Sequence, residues 1–192
     1  MKRRLLPLLL FAMLLPGTLI AKQLAGVEIP EQISIDGVED ALVLNGAGVR
    51  KKFFVSVYVG ALYLPQPQHG VGSLLREPPA NRVLMHFVYS EVAKRKMDQA
   101  WREGFENNLS APQYAEMRPR LERLVALFGD MKEGDRVWLD HVPGTGTRVS
   151  VNAEPVGQIE GSDFNAALLA VWLGREPVTA ALKKAMVGVD KP

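Results

Sequence analysis

Arg50 closes the segment Leu44-Asn45-Gly46-Ala47-Gly48-Val49-Arg50, and the apolar run Phe53 to Leu64 follows almost at once. Read locally, the glycines make a turn that delivers one guanidinium to the mouth of an aromatic and β-branched strand. A fixed positive charge beside apolar walls suits an acidic or enolate-bearing apolar molecule. The planar guanidinium can make two parallel charge-assisted bonds to a carboxylate. Tyr58 lies in the same run and carries a phenol that can donate a third. Strand parity groups Tyr58 with Ser56, Gly60 and Leu62, and Gly60 leaves room beside it. The competing assignments pair Arg50 with Asp36, Asp40 or another surface acid, and make Tyr58 a core aromatic with a satisfied hydroxyl.

Other reactive side chains fall into no constellation. His69, His86 and His141 lie in separate elements, with no His-x-His pair and no cysteine anywhere in the chain. Such spacing does not build a metal site. His86 shares its parity with Leu84 and Val88 and reads as an ordinary hydrogen-bonded histidine. Gly144-x-Gly146 is a hairpin turn with no helix after it, hence no phosphate cradle. No cofactor and no metal are expected. Glu103, Glu106, Glu116 and Glu122 sit among Arg and Lys on helix faces, as solvated pairs do. Trp101, Trp138 and Trp172 read as core.

The elements that must position Arg50 and Tyr58 begin after a leader. Lys2, Arg3 and Arg4 precede the apolar run Leu5 to Leu15, and Pro16-Gly17-Thr18-Leu19-Ile20-Ala21 follows, the layout of a secretory signal peptide over residues 1–21. The run is shorter than the roughly 18 residues a spanning helix needs. Cleavage near Ala21 would leave residues 22–192 as one domain, exported to the periplasm or an equivalent compartment, with no stable membrane span. Those residues hold 20 basic and 21 acidic side chains, a formal charge of about −1. The basic character of the whole sequence therefore belongs to the leader, and net charge makes no case for nucleic acid or an anionic membrane.

Leu24 to Ile35 and Ala41 to Leu44 read as short strands. Phe53 to Leu64 reads as a long central strand, apolar on both parities and so covered on both faces. A short helix at Gly72 to Arg76 leads to the strand Arg82 to Tyr89. The helix opened by Ser90 and Glu91 runs to about Asn108, with Met97, Ala100, Trp101, Gly104 and Phe105 as one apolar stripe laid over the long strand. Pro112 to Phe128 forms the next helix, kinked or restarted at Pro119 and ended by a left-handed cap at Gly129. Arg136 to His141, Thr147 to Asn152 and Val156 to Glu160 form a meander. Helix Phe164 to Leu173 ends at Gly174, and Thr179 caps a last helix reaching Gly188. Strands, helices, strands, helices, without βαβ alternation, indicate an α+β fold with a largely antiparallel sheet.

Three segments carry a family resemblance: Gly46-Ala47-Gly48-Val49-Arg50, the strand end Tyr58-Val59-Gly60-Ala61-Leu62-Tyr63-Leu64, and Val171-Trp172-Leu173-Gly174-Arg175-Glu176-Pro177-Val178. Together they resemble the chalcone isomerase-like family, in its bacterial exported branch, over about residues 26 to 188. The resemblance implies an open-faced β-sandwich, a large antiparallel sheet backed by helices, with a ligand cleft between them. The family includes plant flavonoid isomerases and fatty-acid-binding proteins.

The resemblance implies different roles for different branches. In the isomerases the arginine holds the nascent phenolate or enolate, and it falls on Arg50. Their threonine falls on Tyr58, the tyrosine before the helix is absent from Ser90-Glu91-Val92-Ala93-Lys94, and their last hydroxyl residue falls on Val171. Those departures argue against flavonoid cyclisation. The fatty-acid-binding relatives grip a carboxylate with an arginine and a tyrosine, which Arg50 and Tyr58 supply. The implied reading is a binding protein for an apolar carboxylate such as a fatty acid, with no catalytic residue. The alternatives are an isomerase or intramolecular lyase using Arg50 on an enolate, and an envelope interaction module whose cleft is filled by side chains.

Overall fold

In chain order, the computed structural model, which describes residues 21–188, contains β1 (Ala21–Leu24), β2 (Val27–Pro30), β3 (Gln32–Ile33), β4 (Leu42–Lys52) and β5 (Val55–Leu64). Then come α1 (Val71–Leu74), β6 (Asn81–Phe87), β7 (Glu91–Val92), α2 (Lys94–Glu106), α3 (Ala111–Ala126) and β8 (Met131–Lys132). The chain finishes with β9 (Arg136–Val142), β10 (Gly146–Val151), β11 (Glu154–Ile159), α4 (Ser162–Leu173) and α5 (Ala180–Met186). Seven strands make one antiparallel sheet in the order β11-β10-β9-β6-β5-β4-β3. β1 with β2, and β7 with β8, form separate two-stranded ribbons. The fold is the expected α+β type. The expected leader lies, Ala21 excepted, outside the described residues, and none of the described helices is long and apolar enough to cross a membrane.

β5 is internal, and Val57 to Leu64 are all buried, as a strand apolar on both parities requires. One side of the sheet meets the helices in a core that includes Leu62, Met85, Phe105, Leu168 and Trp172. The other side packs Leu42, Val59 and Tyr63 against Val27 and Ile29 of the β1–β2 ribbon. On that second side Arg82 makes a bidentate pair with Asp140 at 2.5 and 2.6 Å and lies 4.4 Å from the Trp138 ring. Beneath the start of α4, on the helix side, Asn81, His141, Thr147 and Asn165 form a fully buried polar group. Asn165 accepts from Asn81 at 3.0 Å and donates to Thr147 at 3.2 Å.

The expected glycine turn is a strand. Gly46, Gly48 and Arg50 all lie within β4, and the chain reverses at Phe53-Phe54 instead. Long-range packing gives the reason. A Cβ at Gly46 would strike the carbonyl oxygen of Ala185, and one at Gly48 would come 2.6 Å from the Ala185 Cβ and 3.3 Å from Leu182. The glycines let α5 lie flat on the sheet, a close approach that glycine in a strand commonly marks.

The helix layer departs from expectation too. α5, not the Met97-Trp101-Phe105 stripe, packs directly on β4 and β5, and α2 is packed against α3 and α4. Met97, Trp101 and Phe105 are buried on the face α2 turns inward. Pro119 neither ends nor restarts α3, and Gly129 does not take the left-handed conformation. Thr179 does cap α5, its hydroxyl accepting from the Leu182 N–H at 3.2 Å.

Candidate functional site

β4 and β5 place the two singled-out residues directly opposite one another. Arg50 is the cross-strand partner of Tyr58, so both side chains leave the same face, and the guanidinium carbon sits 5.7 Å from the phenol ring centre. A bulge between Arg50 and Lys51 shifts the register just beyond them. The position next along this face of β5, Gly60, is occupied from above by α5, because a Cβ there would lie 3.3 Å from both Leu182 and the Tyr58 ring. The room expected over Gly60 is therefore filled by Leu182. The space lies on the other side of Tyr58, towards Arg50.

That space is a cavity of about 440 Å³ between the ends of β4, β5 and β6 and the helices α2 and α4. Arg50 and Tyr58 line it together. Met85 and Phe87 of β6, Met97 and Trp101 of α2, and Val171 and Trp172 of α4 supply apolar wall. The volume falls within the roughly 300–1,000 Å³ of small-molecule sites, and an apolar wall with a few polar groups is their usual make-up.

The aromatic side chains brace each other. Phe87 lies 5.7 Å from Tyr58, and Trp101 meets Trp172 edge-on at 5.6 Å while stacking on Phe128 at 5.7 Å. The Trp172 indole N–H donates to the Tyr58 hydroxyl oxygen at 2.8 Å. Since that oxygen is accepting, the phenol's own proton is directed elsewhere. Burial pushes the Tyr58 pKa up, against the opposing pulls of Arg50 and of the Trp172 bond, so the phenol stays neutral and remains a donor. Among the described residues the buried Trp101 indole N–H has no hydrogen-bond partner, and Arg50 makes no ion pair or side-chain hydrogen bond. Asp36 and Asp40, the acids expected to compete for Arg50, form no bridge with it.

Sequence reasoning missed several wall residues. Tyr89, assigned to a strand end, lies beyond β6 and lines the cavity while remaining 40% exposed. Trp172 reads in the sequence only as core. The signal was available in α4, which is apolar nearly all round from Phe164 to Leu173: an indole N–H on such a helix must find its partner inside the protein. The three histidines stay apart from the cavity, and no metal-ligating cluster occurs among the described residues.

The family profile described as chalcone isomerase-like matches residues 21–188. No curated protein sequence matches the chain significantly. Among solved structures, the crystal structure of an Arabidopsis thaliana fatty-acid binding protein is similar, with a TM-score of 0.71 at 17% sequence identity. The likeness covers 88% of this chain and 95% of that one.

Proposed function

The chain belongs to the chalcone isomerase-like family, and from that premise we propose that it is an exported, non-catalytic binding protein for an apolar carboxylate, most simply a fatty acid. One observation carries the reading. A guanidinium with no acidic partner among the described residues opens, beside a neutral phenol with a proton to give, onto a cavity of about 440 Å³ whose wall is mostly apolar, with Glu91, Lys96 and Glu103 also lining it. A carboxylate there would take the Arg50 fork and the Tyr58 hydroxyl, while its tail lay along Met85, Phe87, Met97 and Trp101. The fatty-acid binding of the Arabidopsis neighbour fits this assignment. An open cavity also speaks against a cleft filled by side chains. Export is supported by the basic start and apolar run before Ala21, and N-terminal sequencing of protein from the cell envelope tests it.

Each charge-assisted bond is worth about 1.5–3 kcal/mol. Arg50→Ala should therefore weaken binding of a fluorescent fatty acid about ten- to a hundredfold, with Arg50→Lys recovering part of the loss. Unchanged affinity in a folded Arg50→Ala protein would return Arg50 to a structural role. Tyr89 supports a second reading, because it places a phenol on the cavity where Ser90 to Lys94 has none. With Arg50 on an enolate, the site would then serve an intramolecular lyase. Chalcone cyclisation above background, abolished by Arg50→Ala, would establish that reading over the first.

A further inference from the structure

The cavity mouth is marked by an oddity of the β4–β5 hairpin. Lys52 pairs with Val55, so the reversal is made by Phe53 and Phe54 alone. Phe53 takes φ 56°, the left-handed region, at the first position of a hairpin loop that usually carries glycine there. Phe53 is 88% and Phe54 99% exposed. A bulky residue in that conformation costs of order 1–3 kcal/mol, and exposing two phenyl rings gains nothing in water.

These rings are not scattered. Phe53, Phe54, Val55 and Tyr89 make up four of the five exposed large apolar side chains among the described residues, and Phe53, Val55 and Tyr89 line the mouth of the same cavity. Lys51 and Lys52 flank the tip, and Lys96 lies on the α2 side with Glu91 and Glu103. Residues 22–192 carry almost no net charge, so any attraction to an anionic surface must be local, and Lys51 and Lys52 supply two positive charges next to the aromatic tip.

We propose that the β4–β5 tip is a docking finger for an anionic lipid bilayer. Phe53 and Phe54 enter the boundary between headgroups and acyl chains, Lys51 and Lys52 rest on the headgroups, and the cavity mouth faces the lipid. Aromatic rings with lysines behind them suit that boundary, where the rings meet acyl chains and the ammonium groups stay wet. That docking serves exchange of an acyl ligand rests on the function proposed above. The docking itself does not.

The test is co-sedimentation of the processed full-length protein with vesicles of phosphatidylcholine, with and without phosphatidylglycerol. Wild type should bind the anionic vesicles. Phe54→Ser should weaken this about tenfold, as should Phe53→Gly, which removes the ring yet suits the turn and so keeps the fold. Lys51→Gln and Lys52→Gln should each cost about fivefold on anionic vesicles and nothing on neutral ones. Failure of wild type to bind, self-association through the tip in place of vesicle binding, or wild-type binding by both phenylalanine variants would overturn the proposal. Fatty-acid titration without vesicles separates the two readings, because Phe54 lies outside the cavity wall and Phe54→Ser should leave that affinity unchanged. Vesicle binding that depends on Phe53 and Phe54, in a protein that takes up no fatty acid, would sink the cavity reading and leave the docking standing.

Discussion

The Tyr58 hydroxyl has two obligations. It accepts from Trp172 at 2.8 Å, which leaves its own proton to be given to a ligand. Tyr58→Phe removes both at once. The ligand should lose a neutral hydrogen bond, about 0.5–1.5 kcal/mol, while the buried Trp172 N–H is left without an acceptor, costing the protein about 1–3 kcal/mol of stability. Urea unfolding and fatty-acid titration on the same variant separate the two losses. In a double-mutant cycle, Trp172→Phe with Tyr58→Phe should cost less than the sum of the single changes, because the second removal orphans nothing new. A strictly additive result would show that the indole bond contributes nothing. Arg50 was legible in the sequence as a charge beside an apolar strand. Its direct opposition to Tyr58 was not, because register depends on where the hairpin turns, and the turn sits at Phe53-Phe54.

At the scale of elements, the closest tolerance lies between β4 and α5. A methyl group at Gly46 meets backbone, the Ala185 carbonyl, which cannot swing aside, whereas one at Gly48 meets chiefly the Ala185 side chain. Overpacking of this kind costs about 1–3 kcal/mol. Gly46→Ala should therefore destabilise more than Gly48→Ala, and thermal melts should rank them in that order. Equal or negligible losses would mean that α5 does not seat on these glycines. The central place of β5, the inward stripe of α2 and the cap at Thr179 were all readable, because each has a local cause: a two-sided apolar run, a helical period, a hydroxyl before an apolar turn. Gly46 and Gly48 misled because their cause is a helix more than a hundred residues away. Local rules assign such glycines to a turn.

For the molecule as a whole, acid is the expected weakness. Burial pulls His141 below its ordinary pKa, and burial with Arg136 nearby does the same to His86. The unfolded chain then binds protons at about pH 6.5 that the folded chain refuses, so stability is full above that value and declines as pH falls through the interval below it. This loss precedes that from Asp163, held down by its bond to Arg120, which begins only as pH approaches about 4. His141→Gln should flatten the upper part of the decline in melts run on either side of pH 6.5, and an unaltered slope would discount the histidine. Assembly has an order as well. The helix that closes the β4–β5 face is built from Ala180–Met186, near the end of the chain, so during synthesis the sheet can be drawn together before its cover exists. Until those residues emerge, the glycine strip and the apolar strand beside it stay open. A nascent chain of this protein therefore cannot finish its core until that helix has emerged, so the last step of folding is the docking of α5 on a sheet already drawn together.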